Sequence, residues 1–334
     1  MNINDVKSVV EREYDININN IESIKNIYKI NISNEEFCLK VIKYEFKHFF
    51  FILNAIKHLQ WNNFQNMPKL IKSKYGDEYI KLGANYAYLT PWINARLCNY
   101  DNPIDLTMAT LKLAELHIKS TNFKVTENMK PRIGWLRWIQ TYKTRKDEIL
   151  DFKDRICKKE NKSKFDQLYL SIMDDELRRA ERSIHNLISS NYIEKMKKEI
   201  LSRGFCHHDY AYHNVLIDQD NLINIIDFDY CILDSHIHDL ASLLIRAMKY
   251  GKWDIKKATE ILDIYGSINK VEKDDIPIIA AFIEFPQDYW QRGIQCYWEE
   301  KPWGEDFFIK KIEKYIEDRE QKQEFIEDLR NCYK

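Results

Sequence analysis

Four side chains carry the chemistry this sequence can do: His207, Asp209, Asn214 and Asp227. They lie in His207-His208-Asp209-Tyr210-Ala211-Tyr212-His213-Asn214 and in Ile226-Asp227-Phe228-Asp229, which follow the spacings H-x-D-x-x-x-x-N and D-F-x. In that arrangement Asp209 can accept a hydroxyl proton, while an Asn five positions on and an Asp eighteen positions on can hold a divalent cation beside a nucleotide's phosphates. The chemistry implied is phosphoryl transfer.

The same stretch is rich in transition-metal ligands, with His207, His208, Asp209, His213, His236, His238 and Asp239 close together in sequence. Imidazole suits zinc. Zinc hydrolases, however, space two His one helical turn apart on a helix, whereas these residues fall in a loop between strands. No Cys-x-x-Cys pair supports a structural site either.

The elements that must position these groups follow from periodicity. Val215-Leu216-Ile217, the turn residues Asp218-Gln219-Asp220-Asn221 and the run Leu222 to Ile226 predict a hairpin with Asn214 before its first strand and Asp227 just past its second. Residues 3–14 predict a short amphipathic helix with Val6, Val9 and Val10 on one side. Alternation predicts strands over Tyr28 to Ile32 and Phe37 to Ile42, so Phe37, Leu39 and Val41 share one face and Cys38, Lys40 and Ile42 the other. Phe46, Phe49, Phe50, Leu53 and Ile56 recur at helical steps and predict a helix over that sheet, with further strands at Tyr79 to Leu82 and Tyr86 to Leu89.

From about residue 93 the pattern is mainly helical. Helices are expected around Leu106 to Leu116, Phe165 to Leu187, 238–250, 254–266, 274–286 and 305–330, with solvated helix faces or a connector across the charged 144–164 stretch. A β-rich segment followed by helices puts Lys40 where the kinase pattern V-A-I-K carries its phosphate-binding lysine, on the third strand and ahead of a helix. Two features depart from that pattern. Ser23 to Ser33, where the phosphate-covering loop is expected, contains no glycine, and the helix after Lys40 offers only Glu45 as an acidic partner.

Composition narrows the remaining classes. The 334 residues are long enough for two lobes, and 45% hydrophobic with 13% aromatic content belongs to a folded chain. With 51 basic against 52 acidic residues, no global charge points to nucleic acid or an anionic membrane. Seven scattered cysteines suit reduced thiols better than a disulfide framework. Neither a signal peptide nor a membrane span is expected, since the start Met1-Asn2-Ile3-Asn4-Asp5 lacks a basic and apolar block and no uncharged stretch approaches about 18 residues.

Together, the run Cys206 to Asn214, Ile226-Asp227-Phe228-Asp229-Tyr230, His238-Asp239-Leu240-Ala241 and Phe285-Pro286-Gln287-Asp288-Tyr289-Trp290 resemble the CotS-type spore coat proteins of endospore-forming bacteria. These are related to aminoglycoside phosphotransferases and choline kinases in the kinase-like superfamily. The resemblance spans nearly the whole chain and is strongest from about 204 to 300.

It implies an α+β, bilobal protein-kinase-like fold, with a β-rich nucleotide-binding lobe at 1–92 and a helical lobe at 93–334. It implies ATP and Mg²⁺ as cofactors, Asp209 as catalytic base braced by His207, Asn214 and Asp227 as Mg²⁺ ligands, and Lys40 on the α- and β-phosphates. Leu89, Pro91 and Trp92 would hold adenine, and Asp239 would hydrogen-bond the catalytic-loop backbone. Trp290, Trp298 and Asp288 offer ring faces and a carboxylate to a cationic acceptor, or else pack the C-terminal helices.

The function expected is transfer of the ATP γ-phosphate to a small-molecule hydroxyl. A kinase-fold structural component of the coat is the alternative the resemblance carries with it. Synthesis in the mother-cell cytoplasm, assembly into the spore coat and contacts with other coat proteins are expected, without nucleic-acid or membrane partners.

Overall fold

The computed structural model describes residues 2–332, which group into two compact units, one formed by residues 1–132 and 203–233 and the other by 133–202 and 234–334. Compactness divides the chain elsewhere than at 92/93, and the predicted hairpin groups with the N-terminal sheet.

The first unit opens with α1 (Ile3–Tyr14), started by an Asn2/Asp5 capping box that satisfies two otherwise orphaned amides. Strands β1 (Asn20–Ile24), β2 (Ile27–Ile32) and β3 (Glu35–Ile42) follow, then α2 (Phe46–Trp61), β4 (Ile80–Leu82) and β5 (Asn85–Pro91). They form an antiparallel sheet in the order β1-β2-β3-β5-β4. Val6, Val10 and Tyr14 of α1 pack on one sheet face with Ile30, Leu39, Val41, Ala87 and Leu89. Each such valine taken fully from water contributes about 1.5–3 kcal/mol. Phe46 and Phe49 of α2 lie against Tyr79 and Tyr86.

The β3 alternation is as the sequence predicts, with Leu39 and Val41 in that core and Cys38 and Lys40 on the opposite face. The helix of Leu106 to Leu116 is α3 (Pro103–Lys119), capped by Asn102. A second sheet, in the order β6-β7-β8, joins β6 (Ala95–Leu97), β7 (Val215–Asp218) and β8 (Ile223–Ile225). β6 falls in a stretch read as helical. Its three residues are all exposed, so no periodicity betrays it; pairing with β7 makes it a strand.

The second unit is helical: α4 (Trp138–Cys157), α5 (Lys164–Ser189), α6 (Tyr192–Ser202), α7 (His236–Met248), α8 (Ile255–Gly266), α9 (Asp275–Glu284), α10 (Gln287–Gly293) and α11 (Glu305–Cys332). Its core gathers Phe152, Phe165, Tyr169, Tyr289, Tyr297 and Tyr315. Tyr169 and Tyr289 stack at 4.1 Å, and each hydroxyl donates to the other's backbone carbonyl. A side chain at Gly293 would meet the Phe152 ring at 2.4 Å, so only glycine lets α10 pass. The helix then widens into a π turn over Ile294–Trp298. The 144–164 stretch resolves into the outer part of α4 and its connector to α5.

Candidate active site

The site is assembled within the first unit from three short segments. The hairpin β7–β8 fixes two of them, because Ile226 donates its N–H to the Asn214 carbonyl at 3.0 Å, closing the strand pair next to both motif ends. Tyr210 anchors the loop on α3, donating its hydroxyl to the Ala109 carbonyl at 2.8 Å, and Tyr100 donates to the Tyr210 carbonyl at 3.2 Å.

His207 is fully buried and ties the segments together. Its Nε2 lies 2.9 Å from the Ile226 carbonyl, and its Nδ1 accepts the Asp209 N–H at 3.3 Å. Those partners put the ring hydrogen on Nε2. One ring thus sets Asp209 relative to the segment carrying Asp227, with Phe228 against it at 4.8 Å between centroids. Asn214 donates Nδ2 to the Asp209 backbone carbonyl (2.9 Å) and to its Oδ2 (3.0 Å). The amide's donor end is spent, which leaves its oxygen as a ligand.

Lys40 reaches across from β3 and bridges two carboxylates, 3.1 Å from Asp227 Oδ2 and 3.1 Å from Asp229 Oδ2. Burial works against its charge, but the two carboxylates outweigh it and raise its pKa. Asp229 is pushed up to about 6, by burial first and then by the Asp227 charge, with Lys40 opposing. Asp227 stands at φ +66°, a left-handed conformation that strains a residue with a side chain. The Oδ1 atoms of Asp227 and Asp229 are both buried without a hydrogen-bond partner. Two orphaned carboxylate oxygens, with Asn214 at the same end of the hairpin, fit an oxygen-seeking divalent cation such as Mg²⁺.

Beside them lies a cavity of about 290 Å³ whose walls include Ile27, Cys38, Lys40, Ile56, Tyr88 and Thr90, with Pro91, Trp92, Ile93 and Asp227. Apolar walls with a charged end suit a flat base and its phosphates. Pro91 and Trp92 of the expected hinge line it. Leu89 does not: the pleat turns it to the other sheet face, into the core with Leu39 and Val10.

Other expected residues are placed elsewhere. Glu45 stands at the N-cap position of α2 without a capping side-chain bond and pairs with Lys130 at 2.7 Å, so no α2 carboxylate meets Lys40, which pairs with Asp229 instead. The Asp-x-Asp spacing was the available signal for it, but only the chain path shows both carboxylates turning to one lysine. Asp239 is fully buried in the first turn of α7, in the second unit. Trp290 and Trp298 dock on α4: Trp290 donates to Glu148 and its ring face is covered by Arg145 at 4.3 Å, and Trp298 donates to Asp151 at 2.8 Å. One ring face of Trp290 is thus taken by an arginine. Asp288 is half-buried in α10.

Comparison with known proteins agrees with this architecture. The chain is similar over 98% of its length to the aminoglycoside phosphotransferase of Alicyclobacillus acidocaldarius, covering 96% of that chain at 21% identity with a TM-score of 0.84. Spectinomycin phosphotransferase APH(9)-Ia, in complex with ADP and spectinomycin, matches over 98% of each chain at 16% identity and a TM-score of 0.70. Choline kinase LicA from Streptococcus pneumoniae matches over 97% of this chain and 98% of its own, at 13% identity and a TM-score of 0.53.

These likenesses give the fold. Among curated proteins, an MG356 homolog from Mycoplasma pneumoniae is 26% identical over 80 residues, which are 24% of this chain but only 27% of that protein. Residues 7–329 match the family described as "Spore coat putative kinase YutH". The sequence motifs, the kinase-like fold and that match agree: the chain belongs to this CotS-type spore coat family and shares its fold with aminoglycoside phosphotransferases and choline kinases.

Proposed function

We propose that the chain binds Mg²⁺–ATP in the cavity beside Lys40 and transfers the γ-phosphoryl group to the hydroxyl of a small molecule. The observation that carries this reading is the pair of carboxylates, Asp227 and Asp229, held by one lysine with an orphaned oxygen on each. Asn214, Asp227 and Asp229 would hold the cation, which neutralises phosphate charge when bound.

The chain's own residues do the rest. Pro91 and Trp92 flank the base, and Lys40 stands at the charged end of the cavity to steady phosphates. Asp209, held by Asn214 and by the His207 ring, orients the acceptor hydroxyl and takes its proton. The hydroxyl oxygen bonds to the γ-phosphorus, the bond from that phosphorus to the β-γ bridging oxygen breaks, and ADP leaves. Most of the rate comes from positioning.

The test is thermal unfolding with Mg²⁺–ATP, ATP alone and Mg²⁺ alone. A ligand that binds only the native state raises its melting temperature, and at a hundred dissociation constants it adds about 2.7 kcal/mol. A melting temperature unmoved by millimolar Mg²⁺–ATP overturns the reading.

The glycine-free tip of the β1–β2 hairpin favours a second reading, a kinase-fold component of the spore coat that works without turnover. It predicts that Asp209→Asn leaves coat assembly intact. Synthesis in the mother cell and assembly into the coat beside other coat proteins belong to both readings. Among the described residues no helix is long and apolar enough to cross a membrane.

A further inference from the structure

Strands β1 and β2 pair from Asn20 opposite Asn31 to Ile24 opposite Ile27, which leaves Lys25 and Asn26 as a two-residue tip. Lys25 stands at φ +56°, a conformation in which glycine is unstrained and a lysine is not. Local backbone preference alone therefore argues for glycine at this position. Both tip residues line the same cavity as Lys40 and Asp227. Asn26 also accepts the Val41 N–H at 3.4 Å, holding the tip against the strand that carries Lys40.

The charges around this cavity are unevenly committed. Lys40 is shared between Asp227 and Asp229, and Lys29 is paired with Glu36 at 2.6 Å while lying over Trp92 at 4.8 Å. Lys25 is exposed and makes no ion pair or hydrogen bond among the described residues. Without a cation, two carboxylates against one lysine leave the phosphate end net negative, and a bound Mg²⁺ offsets this only in part against a polyanionic ligand. A glycine tip answers such an anion with closely approaching backbone amides; the β-carbons of Lys25 and Asn26 impede that approach. A flexible ammonium arm meets a phosphate from farther away.

We propose that Lys25 contacts the terminal phosphates of the bound nucleotide, its side-chain charge replacing the amides of a glycine-lined loop. This assignment rests on the nucleotide-binding reading above. It makes the hairpin tip a part of the site, where the sequence alone suggested a defect.

The experiment is calorimetric titration of the wild-type chain, Lys25→Gly, Lys25→Met and Lys25→Arg with adenosine, ADP and ATP in the presence of Mg²⁺. Expected are unchanged adenosine affinity in all four proteins, roughly tenfold weaker ATP binding in Lys25→Gly and Lys25→Met, and near wild-type binding in Lys25→Arg. The ATP loss should shrink as salt rises. Wild-type binding of ATP with Lys25→Gly and Lys25→Met within twofold of it overturns the Lys25 assignment while leaving the pocket reading standing. Equal losses for adenosine and ATP overturn it as well, since the tip would then only support the fold. A wild-type chain that binds no nucleotide overturns both.

Discussion

Carboxylates at least half buried occur in both units, and two sets of them are treated in opposite ways. In the helical unit Asp318 accepts the Gly251 N–H at 2.7 Å and the Trp253 indole N–H at 2.9 Å. Asp275 meets Lys195 at 2.9 Å and accepts the Glu272 N–H at 2.9 Å. Glu284 sits among Arg330, Asn186 and Arg182. In the first unit Asp227 and Asp229 crowd one lysine, each with an oxygen that no donor satisfies, and Asp227 has a strained backbone as well. Those three acids of the helical unit close the structure. Asp227 and Asp229 keep an open oxygen each, whereas Asp105 of the same unit is closed by Arg96 and the Asn99 N–H.

That contrast can be broken by substitution. The largest effect is expected at Asp227→Asn, which keeps a residue tolerant of positive φ. Mg²⁺–ATP affinity should fall about 100-fold, while the unliganded chain stays within about 1 kcal/mol of wild type or gains stability through relieved repulsion. A loss of several kcal/mol in urea unfolding would make Asp227 a structural acid like the others and end the comparison.

Asp318→Ala should do the reverse, costing about 2–3 kcal/mol in urea unfolding because the buried Trp253 indole N–H and the partly buried Gly251 N–H lose their acceptor. Nucleotide affinity should not change. If unfolding is unaffected, the helical acids are not the closing elements described above.

Asp234 tests the pH side of the contrast. It accepts the Trp138 indole N–H at 2.8 Å and the Ser235 N–H at 2.8 Å, but burial raises its pKa from 3.8 to about 6. An acid with a raised folded pKa keeps its proton longer in the folded chain. Its contribution is full below about pH 4 and is lost as pH rises through about 6, a change of roughly 3 kcal/mol. Melting curves of wild type and Asp234→Asn should therefore diverge over that window, the wild type losing more as pH rises. Parallel curves would show that Asp234 titrates as it does in the unfolded chain.

The smallest effect belongs to Glu45→Ala. Since Glu45 pairs with Lys130 rather than Lys40, Mg²⁺–ATP affinity should stay within about twofold of wild type. A tenfold loss would mean that Lys40 exchanges partners when nucleotide binds, and would remove Asp229 from the part assigned to it.

Much of this was legible because short-range rules set it. The strands around Lys40 and the helices α1, α2, α3, α5, α7, α8 and α11 follow from alternation and helical periodicity, with bounds shifted by a few residues. Helix α6 was missed because only Tyr192 and Met196 of its residues are buried, too few to print a stripe. Helix α10 was missed because Gly293 and a π turn interrupt it where it crosses Phe152. Leu89 looked like a hinge residue by position in sequence, but the pleat gives alternate residues to opposite faces, and its neighbours took the cavity.

The sequence by itself determined the reactive inventory. The spacing of His207, Asp209, Asn214 and Asp227 around a hairpin is a local property, since a few residues of turn and strand bring both motif ends together. Tertiary structure decided the rest. Which carboxylates Lys40 meets, that Glu45 is not one of them, and that Lys25 faces the same cavity depend on how β3 packs against the hairpin segment and how the β1–β2 tip folds over it. Those are contacts between residues far apart in the chain, and no local periodicity encodes a distance across that gap.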